Sequence, residues 1–219
     1  MRLEDFEVDI LKNFVVINPS IHFTEGNIVR TISPNETVEA RAVFDNSFDR
    51  SFAIFDLKNF LSVLSLFENP EIELFEDHAI IKENKRSIIY NYADPEVINV
   101  APEGEFDVTD PVLVFRITED EVREISRAGG VLRSPELCFE VKGRELTVKT
   151  LDTENETNNQ YNMKVDIREG GDDLTAYMRM EYYRLLEKPY EVSVFREGVV
   201  RFKNNQVEYW IPCEDNSTL

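Results

Sequence analysis

Two histidines, His22 and His78, and two cysteines, Cys138 and Cys213, are the side chains here best suited to acid–base, nucleophilic or metal chemistry. No two of them stand close together in the sequence. A thiolate nucleophile needs a base beside it, and a zinc site needs Cys and His in closely spaced pairs. The spacing offers neither, and two cysteines make no disulfide framework. Carboxylates are abundant: Asp152, Glu154 and Glu156 crowd the polar stretch LDTENETNNQ, and Gly170-Gly171-Asp172-Asp173 could offer oxygens to a cation. Neither has the ligand periodicity of a calcium loop, and the glycine pair reads as a tight turn. There is no glycine-rich phosphate loop and no G-x-S-x-G. The expectation is a protein that is not an enzyme and needs no cofactor and no metal.

The charge balance is 24 basic against 43 acidic residues, a net −19. That predicts solubility and argues against a general electrostatic grip on phosphate. Apolar residues make up 42 % of the 219, enough for a packed core and for one large domain or two of about 110 residues. Met1-Arg2-Leu3 runs straight into Glu4 and Asp5, which is no signal peptide, and no apolar run approaches a membrane span.

The elements follow from periodicity and turn chemistry. Phe6, Ile10, Leu11 and Phe14 have helical spacing within 5–14. Turn residues at 25–27, 33–35 and 45–47 separate strands at about 20–24, 28–32, 37–44 and 51–55. Asp56 caps a helix whose face is Leu57, Phe60, Leu61 and Leu64, and strands at about 71–75, 78–83 and 87–92 follow. Residues 93–110, rich in proline and acid, are the linker candidate, and 101–110 are taken as the link between the two domains. Beyond it come the strand PVLVFRI and the capping box Thr118-Glu119-Asp120-Glu121. That box opens a helix which Gly129-Gly130 is expected to stop. Strands at about 136–141, 144–150, 160–167 and 173–177 and a short helix at about 179–186 complete the pattern.

The last part of the chain repeats an earlier one. LFENPEIELFEDHAIIKENKRSIIY, residues 66–90, and LLEKPYEVSVFREGVVRFKNNQVEYW, residues 185–210, run in register at an offset of 120, placing Ile72 on Val192, Ile80 on Val200 and Tyr90 on Trp210. Each half therefore reads as helix, four strands, helix, three strands. The fold class is α+β with two similar domains, 1–100 and 111–219, each with two helices on antiparallel sheets.

Several runs of residues carry a resemblance. They are Leu11-Lys12-Asn13-Phe14, Phe52 to Leu57 leading into Leu61 to Leu66, and Arg86-Ser87-Ile88-Ile89 followed by Ala93-Asp94-Pro95 and Ala101-Pro102. In this order they resemble the DNA polymerase sliding clamps of T-even-type bacteriophages. The likeness is close through 1–102, and beyond that lies mainly in length and element order. It implies a DNA-clamp fold closing into a homotrimeric ring around duplex DNA. It also implies the replicative DNA polymerase and an ATP-driven clamp loader as partners, a role in late transcription, no membrane, and action in the cytoplasm of an infected bacterium.

The duplication suits such a ring. Domains of about 110 residues have a diameter of about 34 Å, so six in a ring leave a hole of about 34 Å and four only about 14 Å. Three two-domain chains give six. The resemblance then assigns roles. Lys12, Lys58, Arg123, Arg127, Arg179 and Arg184 fall on the four expected helices and are the candidates to face DNA, although Asp5, Glu7 and Asp9 on the first helix would set acids beside phosphate. Ile88 and Tyr90 in one edge strand, and Met163 and Val165 in another, are the candidates for the subunit seam. Val97, Ile98, Val100, Ile211 and Pro212 are the candidates to receive a partner's apolar peptide. An acidic module that mimics DNA and occupies a basic partner is the alternative; it calls for acids, not bases, on the exposed helix faces.

Overall fold

The computed structural model describes residues 1–104, 108–155 and 157–219. Part of the expected linker, 105–107, and Glu156 of the polar loop lie outside the described residues. The chain divides into two compact units, Met1–Gly104 and Glu105–Leu219.

Unit 1 runs α1 (Asp5–Ile17), β1 (Ile21–Phe23), β2 (Gly26–Ile32), β3 (Glu39–Phe48), β4 (Phe52–Ile54), α2 (Leu57–Leu64), β5 (Glu71–Leu74), β6 (His78–Glu83) and β7 (Arg86–Asn91). Its sheets have the orders β4-β1-β2-β3 and β5-β6-β7. α1 buries Ile10, Leu11, Phe14 and Ile17 and packs against α2. α2 begins where Asp56 accepts a hydrogen bond from the Asn59 amide at 2.8 Å. Phe23, Phe48 and Phe52 form an aromatic cluster with Phe23 stacked on Phe52 at 4.6 Å.

Unit 2 runs β8 (Leu113–Ile117), α3 (Glu119–Leu132), β9 (Glu136–Lys142), β10 (Glu145–Leu151), β11 (Tyr161–Val165), β12 (Ile167–Gly170), β13 (Leu174–Arg179), a 3-10 turn (Met180–Tyr182), β14 (Tyr190–Phe195), β15 (Val199–Lys203) and β16 (Val207–Pro212). Its sheet orders are β12-β8-β14-β15-β16 and β11-β10-β9-β13. The capping box forms as expected: the Thr118 amide donates to Glu121 at 2.7 Å and the Glu121 amide donates back to Thr118 Oγ1 at 3.3 Å.

Four expectations change. First, the helix expected at 179–186 is not there. Leu174, Ala176 and Met178 alternate inward, so β13 continues to Arg179, which pairs with Glu136, and only the 3-10 turn follows. Second, α3 runs through Gly129-Gly130 and ends at Arg133 in the left-handed region, φ 54°. Gly129 serves packing instead: a Cβ there would lie 2.8 Å from Met180 Cε. Third, the strand expected at 160–167 splits at Asp166 and serves two sheets, β11 beside β10 and β12 beside β8. Fourth, the repeat is real but shifts by one residue after its first hairpin. Leu74 lies opposite Ala79 and Val194 opposite Val200, so the unit 2 hairpin is one residue longer. Ala79 therefore matches Val200, Ile88 matches Tyr209 and Tyr90 matches Ile211; the offset of 120 holds only through β5.

The glycine pair at 170–171 marks the end of β12, with Gly170 as its last residue and a bend at Asp172-Asp173 after it. Both glycines have positive φ, and a Cβ on Gly170 would meet the Val112 carbonyl at 2.2 Å. Asp173 accepts the Gly143 amide at 2.8 Å, and no His/Cys/Asp/Glu group among the described residues could hold a metal.

Candidate nucleic-acid interface and open sheet edges

A strand at a sheet edge leaves half its backbone donors and acceptors unpaired. β5 and β7 are the edges of one small sheet, and β13 and β11 of the other. Two of these four are covered by the chain's own ends. The Met1 ammonium donates to the Ile72 carbonyl and the Ile72 amide donates to the Met1 carbonyl, both at 2.8 Å, which closes β5. Thr218 exchanges backbone hydrogen bonds with Thr175, and Tyr177 is held by Ser217 and Glu214, which closes β13. Among the described residues, β7 is paired only with β6, and β11 only with β10. The four seam candidates sit on these two edges: Ile88 and Tyr90 are half-buried on β7, and Met163 and Val165 half-buried on β11.

The seam candidates face the helix side of their sheets. Tyr90 meets Phe60 of α2 edge-on at 5.2 Å and donates its hydroxyl to the Asp56 carbonyl at 3.3 Å. Burial, with the Asp56 charge adding to it, raises the Tyr90 pKa. Tyr161, at the start of β11, donates to Glu124 of α3 at 3.3 Å; burial and then Glu124 raise its pKa as well.

The basic candidates do not form one set. Lys12, Lys58, Arg123 and Arg127 are exposed on α1, α2 and α3. Lys12 is paired with Asp9 at 2.9 Å. Arg123 is bound by three acids, Glu119 at 3.1 Å, Asp120 at 2.8 Å and Glu187 at 3.0 Å, and the Glu187 hydrogen bond is the first cause of its raised pKa. Arg123 thus ties α3 to the loop before β14. Arg179 lies on the strand end and pairs with Glu214 at 3.2 Å; Arg184 lies in the following loop and donates to the Glu181 carbonyl at 3.0 Å. Lys58 and Arg127 are the helix cations with no acidic partner among the described residues.

The acids of α1 also separate. Asp5 and Asp9 are exposed, but Glu7 is fully buried, and its carboxylate accepts from the amides of Glu4 and Asn46 at 2.9 and 3.0 Å and from Asn46 Nδ2 at 2.8 Å. Glu7 is a structural clasp between α1 and β3, turned away from the helix's outer face. Sequence inspection missed this role because its partner stands 39 residues away.

Of the expected peptide-binding group, Val97 and Val100 are exposed, and Ile98 and Pro212 are half-buried. Asn99 anchors the segment by donating to the Pro34 carbonyl at 3.0 Å. Ile211 is fully buried in the sheet core and offers no surface. A cleft in unit 2, about 760 Å³ and bordered by Arg116, Lys188, Glu191 and Lys203, was not foreseen; its cations come from three separate segments, and Arg116 is paired with Glu191 at 3.5 Å.

The model of the DNA polymerase processivity factor family matches residues 5–100. The sliding clamp of Vibrio phage KVP40 is 25 % identical over 219 residues, covering 98 % of this chain and 99 % of that protein. The sliding clamp of Escherichia phage RB69 is 24 % identical over 225 residues, with 100 % and 99 % covered. The resemblance to the T-even-type phage sliding clamps spans the whole chain. Among solved structures, the PCNA of Thermococcus kodakaraensis superposes with a TM-score of 0.72 at 13 % identity, covering 98 % of this chain and 99 % of that one. The fold is the DNA-clamp fold: few helices on antiparallel sheets. In that clamp fold, α1, α2 and α3 carry exposed cations, and β7 and β11 are the open edges of the two small sheets.

Proposed function

We propose that this chain is a sliding clamp: a non-enzymatic processivity factor whose copies close into a homotrimeric ring around duplex DNA and tether the replicative DNA polymerase. The observation that carries the reading is the exposure of β7. Its counterpart β16 has Tyr209, Trp210 and Ile211 at 1, 7 and 0 % exposure, whereas Ile89 of β7 is 63 % exposed and Ile88 and Tyr90 are only half-buried. β7 is built as a sheet member and has a free backbone edge; β11 is the complementary free edge in unit 2. Joining β7 of one copy to β11 of the next uses one edge of each kind per copy and propagates head to tail, which closes as a ring when the rotation permits.

Lys58 and Arg127 are the cations proposed to face the duplex. A sliding protein calls for contact with phosphate and none with base edges. The exposed helix faces carry bases and acids together and no continuous acidic row, which favours a clamp over a DNA mimic. The segment bearing Val97 and Val100 is proposed to receive an apolar peptide of the polymerase. An ATP-driven loader, late-transcription factors and the cytoplasm of an infected bacterium complete the reading by likeness to the phage clamps.

Three chains of 25.5 kDa make about 77 kDa. Light scattering at micromolar concentration is expected to show that mass, falling on dilution. A single-chain mass at every concentration overturns the ring.

A further inference from the structure

Charges placed along the two open edges discriminate between the ways they could join. Resting on the ring reading above, we propose that β7 of one copy pairs antiparallel with β11 of a second copy in one register. Ile88 then lies opposite Met163 and Lys85 opposite Asp166, and the charged pair locks that register.

The direction follows from the rest of the molecule, where the small sheets are wholly antiparallel. The face follows from packing. Ile88 and Tyr90 share a sheet face with Ile81 and Ala79, and Met163 and Val165 share one with Val148 and Leu146. Both faces lie toward helices, as the Tyr90–Phe60 contact and the Tyr161–Glu124 hydrogen bond show. A sheet continuous across the seam keeps these faces together. A slip of one residue would set Ile88 and Tyr90 against Asn162 and Lys164, so only slips of two residues compete.

Charge decides among those. With Ile88 opposite Met163, Tyr90 meets Tyr161, Ile89 meets Asn162, and Lys85 meets Asp166. A slip of two residues in one direction sets Lys85 opposite Lys164. The same slip in the other direction brings Lys85 to Arg168. Opposite charges across a strand pair stabilise it and like charges destabilise it. Lys85 and Asp166 are exposed and have no ionic partner among the described residues of their own chain, whereas Lys164 and Arg168 are already paired, with Glu145 at 2.9 Å and Glu191 at 3.3 Å. Lys85 is the second residue of the two-residue turn that leads into β7, after Asn84 at φ 56°, and Asp166 sits between β11 and β12, so both charges lie just beyond the ends of the strands that would pair.

Cysteine pairs read the register. A disulfide needs Cα atoms about 4.4–6.8 Å apart, which directly opposed residues satisfy and diagonal neighbours exceed. Ile89→Cys with Asn162→Cys, both at exposed positions, should give covalent dimers and trimers on mild oxidation. Ile89→Cys with Lys164→Cys and Ser87→Cys with Asn162→Cys should not, nor should the parent protein with Cys138 and Cys213. Crosslinking in a slipped pair overturns the register while leaving the ring in place, as does a 77 kDa species that crosslinks in none of them. A single-chain mass in all variants overturns the ring reading itself. Independently, Lys85→Asp or Asp166→Lys alone should weaken assembly about two- to fivefold per seam, the range for exposed charge pairs. The combined exchange should restore it. A combined variant no better than the single ones overturns the lock.

Discussion

β5–β7 and β14–β16 are two copies of one sheet motif, and they agree up to their third strand. Ile72, Ala79 and Ile81 in unit 1 are as buried as Val192, Val200 and Phe202 in unit 2. The third strands diverge: β16 is buried on both faces, whereas β7 is half-buried on its helix side and exposed on the other. Helix and strand packing inside a unit accounts for the first two strands in both copies. The difference teaches that an apolar, strand-forming segment with an open edge is unfinished surface, since edges elsewhere in these small sheets are closed by Met1 and Thr218.

The strongest way to break this comparison is to charge both third strands. Ile211→Asp puts a carboxylate in a fully buried site and should cost several kcal/mol, enough to unfold unit 2. Ile88→Asp should leave the thermal transition of the single chain nearly unchanged and abolish the 77 kDa species. Parallel melting and light-scattering curves separate the two. Equal unfolding by both variants would mean that β7 is core and that the contrast is false.

A smaller effect sharpens the contrast between the helical layers. Unit 1 has two α-helices, α1 and α2, and unit 2 one, α3; each also has a 3-10 turn, Pro95–Val97 and Met180–Tyr182. Lys58→Glu with Arg127→Glu should shorten primer-extension products in a clamp-dependent assay, most at low salt where screening is weakest. Arg123→Glu should act differently, lowering the melting temperature of unit 2 through loss of its tie to Glu187, with a weaker effect on product length. If Arg123→Glu shortens products as much as the Lys58 and Arg127 pair, the division of cations by ion pairing is wrong.

The smallest expected effect concerns pH and unit 1 alone, since unit 2 contains no histidine. Burial lowers the His22 pKa below its ordinary 6.5, against a smaller opposing pull from Glu103. The folded state therefore favours neutral His22, and the unfolded chain takes up the proton first as pH falls. This contribution to stability is intact above about 6.5 and declines as pH drops below that value. Melting curves at pH 7 and pH 5 should show a smaller loss for His22→Gln than for the parent protein. An equal loss removes His22 as the cause.

The elements set by local rules were legible in the sequence. Asp56 caps α2 and Thr118–Glu121 caps α3 because a cap needs only residues within one turn. The alternation of Leu174, Ala176 and Met178 was equally local, yet a helix was expected at 179–186: a run as short as Met180–Leu186 does not itself reveal whether it helps to pack a core or turns a corner. The open edges of β7 and β11 were read correctly as edges, while the closure of β5 and β13 depends on backbone partners 71 and 43 residues away, Met1 with Ile72 and Thr175 with Thr218. Placement on a helix made these bases candidates, but ion pairing is decided by which acids the fold brings near. It placed Glu187 against Arg123 and left Arg127 without such a partner among the described residues. The single-residue shift in the repeat has the same origin. Side-chain identity aligned Tyr90 with Trp210, but a sheet alternates faces at every residue, so only strand pairing could show that Tyr90 shares its inward face with Ile211.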